Sequence, residues 1–319
     1  MTAAAPIELL DRRLIFVTGK GGVGKTTIAA ALGVLAASRG KRVLVCEVDA
    51  KGSLAAAFES GPLRFQPGRV HPGIDAMAMN TEDSLREYLK LVVRLPLAAR
   101  LGPLARTLDF VADAAPGVRE ILTVGKVCYE VREDHYDCVI VDAAASGHIV
   151  GQLSAPWAIN ELVQVGMVRD QTRWMTEILG DPTQTSVVVV TNPEELPVAE
   201  TLELLDRLAA SVPVDVAAVV ANRVLPELFT HEEEAVFRRL REREPRRALV
   251  SRAGRDAVAV FEAAALAVAF RRDKASNLAD LQEGLPATMP LLLVPELFAR
   301  SHGARAVSKV AEALGDELA

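Results

Sequence analysis

The sequence predicts an α/β fold, a doubly wound and mostly parallel sheet with helices on both faces, plus a helical subdomain. Three observations predict it. Short apolar runs rich in Val, Ile and Leu recur along the 319 residues without the alternation of a half-exposed strand, as expected for strands buried on both faces. Stretches with helical spacing separate them, which implies right-handed crossovers between parallel strands. Hydrophobic residues make up 50% of the chain but aromatic ones only 4%, so the core is built from Ala, Val and Leu.

Taken in order, Leu14–Thr18 reads as the first buried strand, Ile28–Ser38 as a helix and Arg42–Val48 as the next strand. Cys138–Val141, Val187–Thr191, Ala217–Asn222 and Leu291–Val294 repeat the strand pattern. Ser84–Gly125 differs. Leu85, Tyr88, Leu89, Val92, Leu97, Leu101, Leu104 and Leu108 follow helical spacing, and Pro96 and Pro103 interrupt the path. Residues 84–125 are therefore expected as a helical elaboration within one domain spanning 1–319. The stretch His231–Lys274 mixes Glu232, Glu233 and Glu234 with Arg238, Arg239, Arg241, Arg243, Arg246 and Arg247, the pattern of exposed helices carrying opposite charges. No internal repeat and no low-complexity linker is present.

The net charge of −6 argues against a nucleic-acid partner. Cys46, Cys128 and Cys138 form no CxxC pair and the five histidines are scattered, so no zinc or redox motif is expected. Cys46 and Cys138 fall in apolar runs, as buried thiols of a reducing compartment would. The N-terminus has no signal-peptide pattern, and no apolar run is long enough for a membrane span. A cytoplasmic protein without stable membrane insertion is expected.

Gly19-Lys20-Gly21-Gly22-Val23-Gly24-Lys25-Thr26 fits the phosphate-binding pattern G-x-x-x-x-G-K-[ST], between an apolar strand and an apolar helix. The glycines let the backbone turn tightly and bring its N–H groups close to phosphate oxygens. The helix start adds its positive dipole end. In this pattern Lys25 charges the β- and γ-phosphates, Thr26 offers a hydroxyl to Mg²⁺ and Thr27 reaches the α-phosphate. ATP and Mg²⁺ are the expected cofactors, and the motif predicts the fold of a P-loop ATPase.

Lys20 makes the motif the deviant form. The loop resembles those of the ArsA arsenite-efflux ATPase, the guided-entry ATPase for tail-anchored proteins, MinD, ParA and the nitrogenase iron protein. The resemblance implies a dimer in which Lys20 reaches the partner's nucleotide and stabilises charge during phosphoryl transfer.

Two acids end strands. Asp49, in Glu47-Val48-Asp49-Ala50-Lys51-Gly52-Ser53-Leu54, lies where this class places the acid that orients the attacking water and faces the metal. ArsA-like proteins carry T-D-P-A-H there, and this chain keeps only the Asp at its place. Cys138-Val139-Ile140-Val141-Asp142 has the Walker B form, with Asp142 on the Mg²⁺ side. Ala143-Ala144-Ala145-Ser146-Gly147-His148 follows, against D-T-A-P-T-G-H counted from the acid in the ArsA-like pattern. Gly147 is expected to donate its N–H to the γ-phosphate as part of a switch loop. His148 is either functional or local packing.

Asn222 ends a strand, where an amide can read a donor and an acceptor on adenine. ArsA and guided-entry ATPases carry an Asn at that strand end. Pro295-Glu296-Leu297, in Val294–Phe298, resembles their adenine loop, and Thr191-Asn192-Pro193-Glu194-Glu195 an ArsA-type segment. The resemblance runs from about Leu14 to Phe298. Other branches fit less well: the nitrogenase cysteine is missing, and Ala304–Ala319 is a poor membrane anchor.

Metalloid handling would want clustered thiolates, which this chain lacks. The leucines of 84–125 either line a client groove or cover the sheet. Pro116–Leu122 resembles an element that starts a helix at the dimer face. The chain is similar to short, zinc-free bacterial ArsA-like ATPases found as pairs, so a homodimer and a heterodimer with a sister ATPase are both open. The expected activity is ATP hydrolysis in a nucleotide-closed dimer that handles a client protein or membrane partner. The alternative is a MinD/ParA-type nucleotide-switched positioning protein.

Overall fold

The computed structural model describes residues 9–49, 51–92, 117–162, 167–227, 229–254, 256–298 and 303–319. Among the described residues eight strands form one sheet in the order β3-β4-β2-β5-β1-β6-β7-β8. They are β1 (Leu14–Gly19), β2 (Val43–Glu47), β3 (Gly68–His71), β4 (Ile74–Ala78), β5 (Cys138–Ala145), β6 (Thr185–Thr191), β7 (Val216–Val224) and β8 (Leu291–Pro295). Every neighbouring pair is parallel except β3 with β4.

The sheet is covered on both faces. On β1, Ile15 and Val17 join a core with α1 (Lys25–Ser38), α2 (Ser53–Ala57) and the last helix, α11 (Ala304–Glu317). Leu14 and Phe16 point the other way, toward α4 (Val118–Arg132), α5 (Ser146–Leu162), α6 (Met167–Gly180) and α7 (Glu195–Ser211). This alternation follows from the two-residue period of a strand. The tail helix α11 buries Val307, Val310, Ala311 and Leu314 in the first of these cores, which includes much of α1.

The strands expected from sequence all occur, with ends that coincide or shift by up to four residues. The hairpin β3–β4 was not expected. It is short and polar at its edge strand, so it carries little apolar signal; His71-Pro72-Gly73 is the turn that marks it. Of the expected elaboration, α3 (Thr81–Val92) and α4 are helical. Leu97, Leu101, Leu104, Leu108 and both prolines lie outside the described residues. A cleft of about 520 Å³ opens between α3, α4 and α6, lined in part by Leu85, Ile121, Leu122 and Met175.

Residues 231–284 leave the sheet after β7 as α8 (His231–Leu240), α9 (Arg243–Ala253) and α10 (Asp256–Gly284). As expected, they are largely exposed. Stacked Phe229, Phe237 and Phe261 join α8 to α10, while Val260, Leu266 and Phe270 face solvent. Cys46, Cys128 and Cys138 are all buried. Burial raises each thiol, Cys138 to about 12, so none is poised as a thiolate ligand. Among the described residues no helix is long and apolar enough to cross a membrane.

Candidate phosphate-binding site

The site forms at the carboxyl ends of the central strands, where open α/β sheets bind ligands. β1 ends at Gly19 and α1 begins at Lys25. Gly19 has φ 145° and lies against β6, where a Cβ would run into the Val190 carbonyl oxygen. Gly22 (φ 87°) and Gly24 (φ 96°) hold left-handed turns. Gly21 and Gly22 face solvent, while Val23 is buried in the core and anchors the loop. Gly24 is the helix N-cap and no side chain caps that end. The first N–H groups of α1, including that of Thr27, are thus presented to an anion.

Thr26 and Asp142 meet: the Thr26 hydroxyl donates to Asp142 Oδ2 at 2.6 Å. Asp142 is inside β5, beside Glu47 on β2 and Val17 on β1. Burial raises its carboxyl to about 6, with Glu47 and Asp49 pushing the same way and Thr26 and Lys25 opposing. Lys25 is lowered, chiefly by burial. Its ammonium donates to the Lys20 carbonyl oxygen at 3.2 Å.

Asp49 lies two residues past β2 and pairs with Lys51 at 3.1 Å. Val48 N–H donates to the Asp142 carbonyl at 3.2 Å and ties the two acid-bearing ends together. Glu47, not anticipated from sequence, is only 3% exposed. Its carboxylate accepts from Gly52 N–H at 3.2 Å, Ser53 N–H at 2.8 Å and Leu54 N–H at 3.2 Å. It therefore fixes the turn that carries Lys51 and starts α2. A lone acid closing an apolar run, five residues before a Gly-Ser helix start, was the available signal.

Gly147 does not lie on a loop. β5 runs to Ala145 and α5 starts at Ser146, so Gly147 and His148 stand exposed in the first helical turn. Ala143, Ala144 and Ala145 include no helix-breaking residue, and the strand passes directly into the helix. Asn222 lies beneath the loop. Its Nδ2 donates to Val23 O at 2.8 Å, and its Oδ1 accepts from Arg223 N–H at 3.0 Å. It braces the loop while keeping one N–H and one lone pair. Pro295 ends β8, Glu296 N–H donates to Val224 O at 2.9 Å, and Leu297 packs on the α1 core. Lys20 does not project freely: its ammonium meets Glu200 Oε1 on α7 at 2.8 Å.

A glycine loop between a central strand and an uncapped helix, with a strand-borne acid on its threonine, defines a P-loop nucleotide-binding protein. The chain matches the anion-transporting ATPase family (ArsA ATPase) over residues 12–171 and again over 158–247. It is 35% identical over 232 residues to ATPase BagA of Mycobacterium tuberculosis (strain ATCC 25618 / H37Rv), covering 69% of this chain and 68% of that one. It is 26% identical over 253 residues to the ATPase ASNA1 homolog of Entamoeba dispar, covering 66% and 76%. To ATPase get3 of Schizosaccharomyces japonicus it is 32% identical over 158 residues, covering 49% and 47%. The chain belongs to the anion-transporting ATPase family. It binds nucleotide and hydrolyses ATP.

Proposed function

We propose that the chain is a Mg²⁺-dependent ATPase of the cytoplasm that closes as a dimer around ATP and couples hydrolysis to the handling of a client protein or membrane partner. The observation that carries this reading is the Thr26–Asp142 hydrogen bond of 2.6 Å above an uncapped, glycine-built helix N-terminus. That donor set is all oxygen, a hydroxyl and carboxylates, which suits a hard divalent cation. Thr26 and Asp142 would hold Mg²⁺, with Asp49 facing it. The ion supplies neutralisation of phosphate charge.

The chain's own groups then divide the work. The N–H groups of Gly21 to Thr27 cradle the phosphates. Lys25 leaves the Lys20 carbonyl and moves onto the β- and γ-phosphates. Asp49 exchanges Lys51 for the attacking water and accepts its hydrogen bond. Lys20 completes the partner's site, and Gly147 follows the γ-phosphate. Asn222 offers its remaining amide hydrogen and lone pair to the base, and Pro295, Glu296 and Leu297 line that side. The cleft beside Leu85 and Ile121 supports a client role for the helices flanking residues 93–116.

The test is ATPase turnover per subunit over a wide range of protein concentration. Turnover that rises and saturates supports self-closure as a homodimer. Turnover near zero throughout, with ATP bound, assigns completion of the site to a sister ATPase. Turnover that is substantial and independent of concentration overturns the dimer. Lys25→Ala is expected to abolish ATP binding, whereas Lys20→Ala binds ATP and hydrolyses it slowly. Wild-type hydrolysis by Lys20→Ala removes the role given to Lys20.

A further inference from the structure

Lys20 directly follows β1, and its two ends are held separately. Its carbonyl oxygen accepts from Lys25 Nζ at 3.2 Å. Its ammonium pairs at 2.8 Å with Glu200, 180 residues away in sequence. The two side chains are 28% and 34% exposed, so the pair is partly withdrawn from water. Glu200 is the one carboxylate that meets Lys20 among the described residues.

The helix behind Glu200 is firmly seated. α7 follows the turn Asn192–Glu194 and buries Pro197, Val198, Thr201, Leu204 and Leu208. Its Leu202 packs against Gly284 at the end of α10, where a Cβ would lie 2.7 Å from Leu202 Cδ1. Glu200 therefore stands on a firmly seated backbone, and Lys20 on the loop that leads into the exposed Gly21 and Gly22.

We propose that Glu200 is a positioning residue for Lys20: it keeps the lysine on its own subunit until ATP-driven closure transfers it to the partner's site. The inference rests on the proposed closed dimer. Its logic is a sequence of exchanged partners. A triphosphate needs Lys25, so Lys25 must leave the Lys20 carbonyl. That removes one of the two anchors on Lys20. The remaining ion pair, half-buried and without a second acid, biases an equilibrium by about two- to fivefold. Such a pair is strong enough to hold Lys20 back when no partner nucleotide is present. It is weak enough to yield when a partner's phosphates compete for the same ammonium. A buried, multiply bonded carboxylate such as Glu47 in that place would trap the lysine instead.

The experiment compares the wild-type full chain with Glu200→Gln and Glu200→Asp by two readouts. The first is the rate at which an amine-reactive reagent labels Lys20 in nucleotide-free protein, read by mass spectrometry with exposed Lys309 as internal reference. Glu200→Gln should label Lys20 about two to five times faster, and Glu200→Asp near the wild-type rate. The second is the protein concentration at half-maximal ATPase turnover. It should fall about two- to fivefold in Glu200→Gln, with KM for ATP unchanged and Glu200→Asp close to wild type. Unchanged labelling in Glu200→Gln overturns the pairing. Faster labelling with no shift in half-saturating concentration overturns the positioning role while the closed dimer stands. Wild-type turnover that is flat or absent at all concentrations removes self-closure, and with it the transfer of Lys20 to a second copy of this chain, and the labelling rates still show whether the pair exists.

Discussion

Neighbouring strands β2 and β5 deliver acids to the same edge of the sheet, and the acids meet opposite surroundings. Asp142 lies within β5, 7% exposed, between β2 and β1. Asp49 lies two residues beyond β2, its side chain 42% exposed and paired with a mobile-stemmed lysine. Burial raises the Asp142 carboxyl to about 6, so protonation competes for it just below neutral pH. Asp49 meets solvent and the exposed Lys51. Glu47 shows a third solution: a buried carboxylate in register with Asp142, kept by three backbone N–H donors. Depth in the sheet and donor supply, more than residue type, separate the three.

The comparison is tested most severely at Asp142. Asp142→Asn is expected to lower turnover about 10³-fold through loss of the charge proposed to hold the metal. It should also raise the stability of the nucleotide-free protein by about 1–2 kcal/mol, read as Tm. The sign follows from the pKa. The folded carboxyl titrates at about 6, above its ordinary 3.8. Between those values the unfolded chain is ionised and the folded one is not. Stability from this group therefore falls as pH rises through that window and stays low above it. Because the ion requires the ionised carboxylate, the Mg²⁺-dependent part of the Tm rise with ATP should shrink between about pH 7.5 and about pH 5.5. A Tm that falls in Asp142→Asn would show that its charge is well compensated.

Asp49→Asn should slow turnover about 10²-fold while leaving ATP affinity unchanged and nucleotide-free stability within about 0.5 kcal/mol. Equal losses of stability and turnover would erase the contrast with Asp142. Glu47→Gln keeps an acceptor but loses charge assistance for two or three N–H bonds. It should cost about 1–2 kcal/mol by denaturant unfolding. It should also lower the Asp142 pKa, because one neighbouring negative charge is gone, and so move the acid limb of the pH profile downward. The smallest effect is expected at Lys51. Lys51→Met frees an exposed ion pair and should change turnover less than about threefold.

Much of the site was legible in the sequence because its signals are local. The eight residues of the phosphate loop need glycines and a lysine at fixed offsets from one strand and one helix. Asp142 was legible as an acid closing an apolar run, and Asn222 as an amide at a strand end. Glu200 was not: it is an ordinary charge in an amphipathic helix until folding sets it against Lys20. The β3–β4 edge was missed because two short strands with few apolar residues resemble a loop. Gly147 was expected on a switch loop, but β5 runs to Ala145 and the helix starts at Ser146.

The sequence by itself determined the class of fold, the loop and the strands that bear the acids, since each rests on spacing within about a dozen residues. Only the tertiary structure decided what those groups face. It set the Thr26 hydroxyl on Asp142, the Asn222 amide under Val23 and the Glu200 carboxylate on Lys20, pairs 116, 199 and 180 residues apart. It also decided which carboxylate was buried and which was exposed. Partner and burial are properties of packed neighbours, and packing joins segments whose separation along the chain carries no pattern.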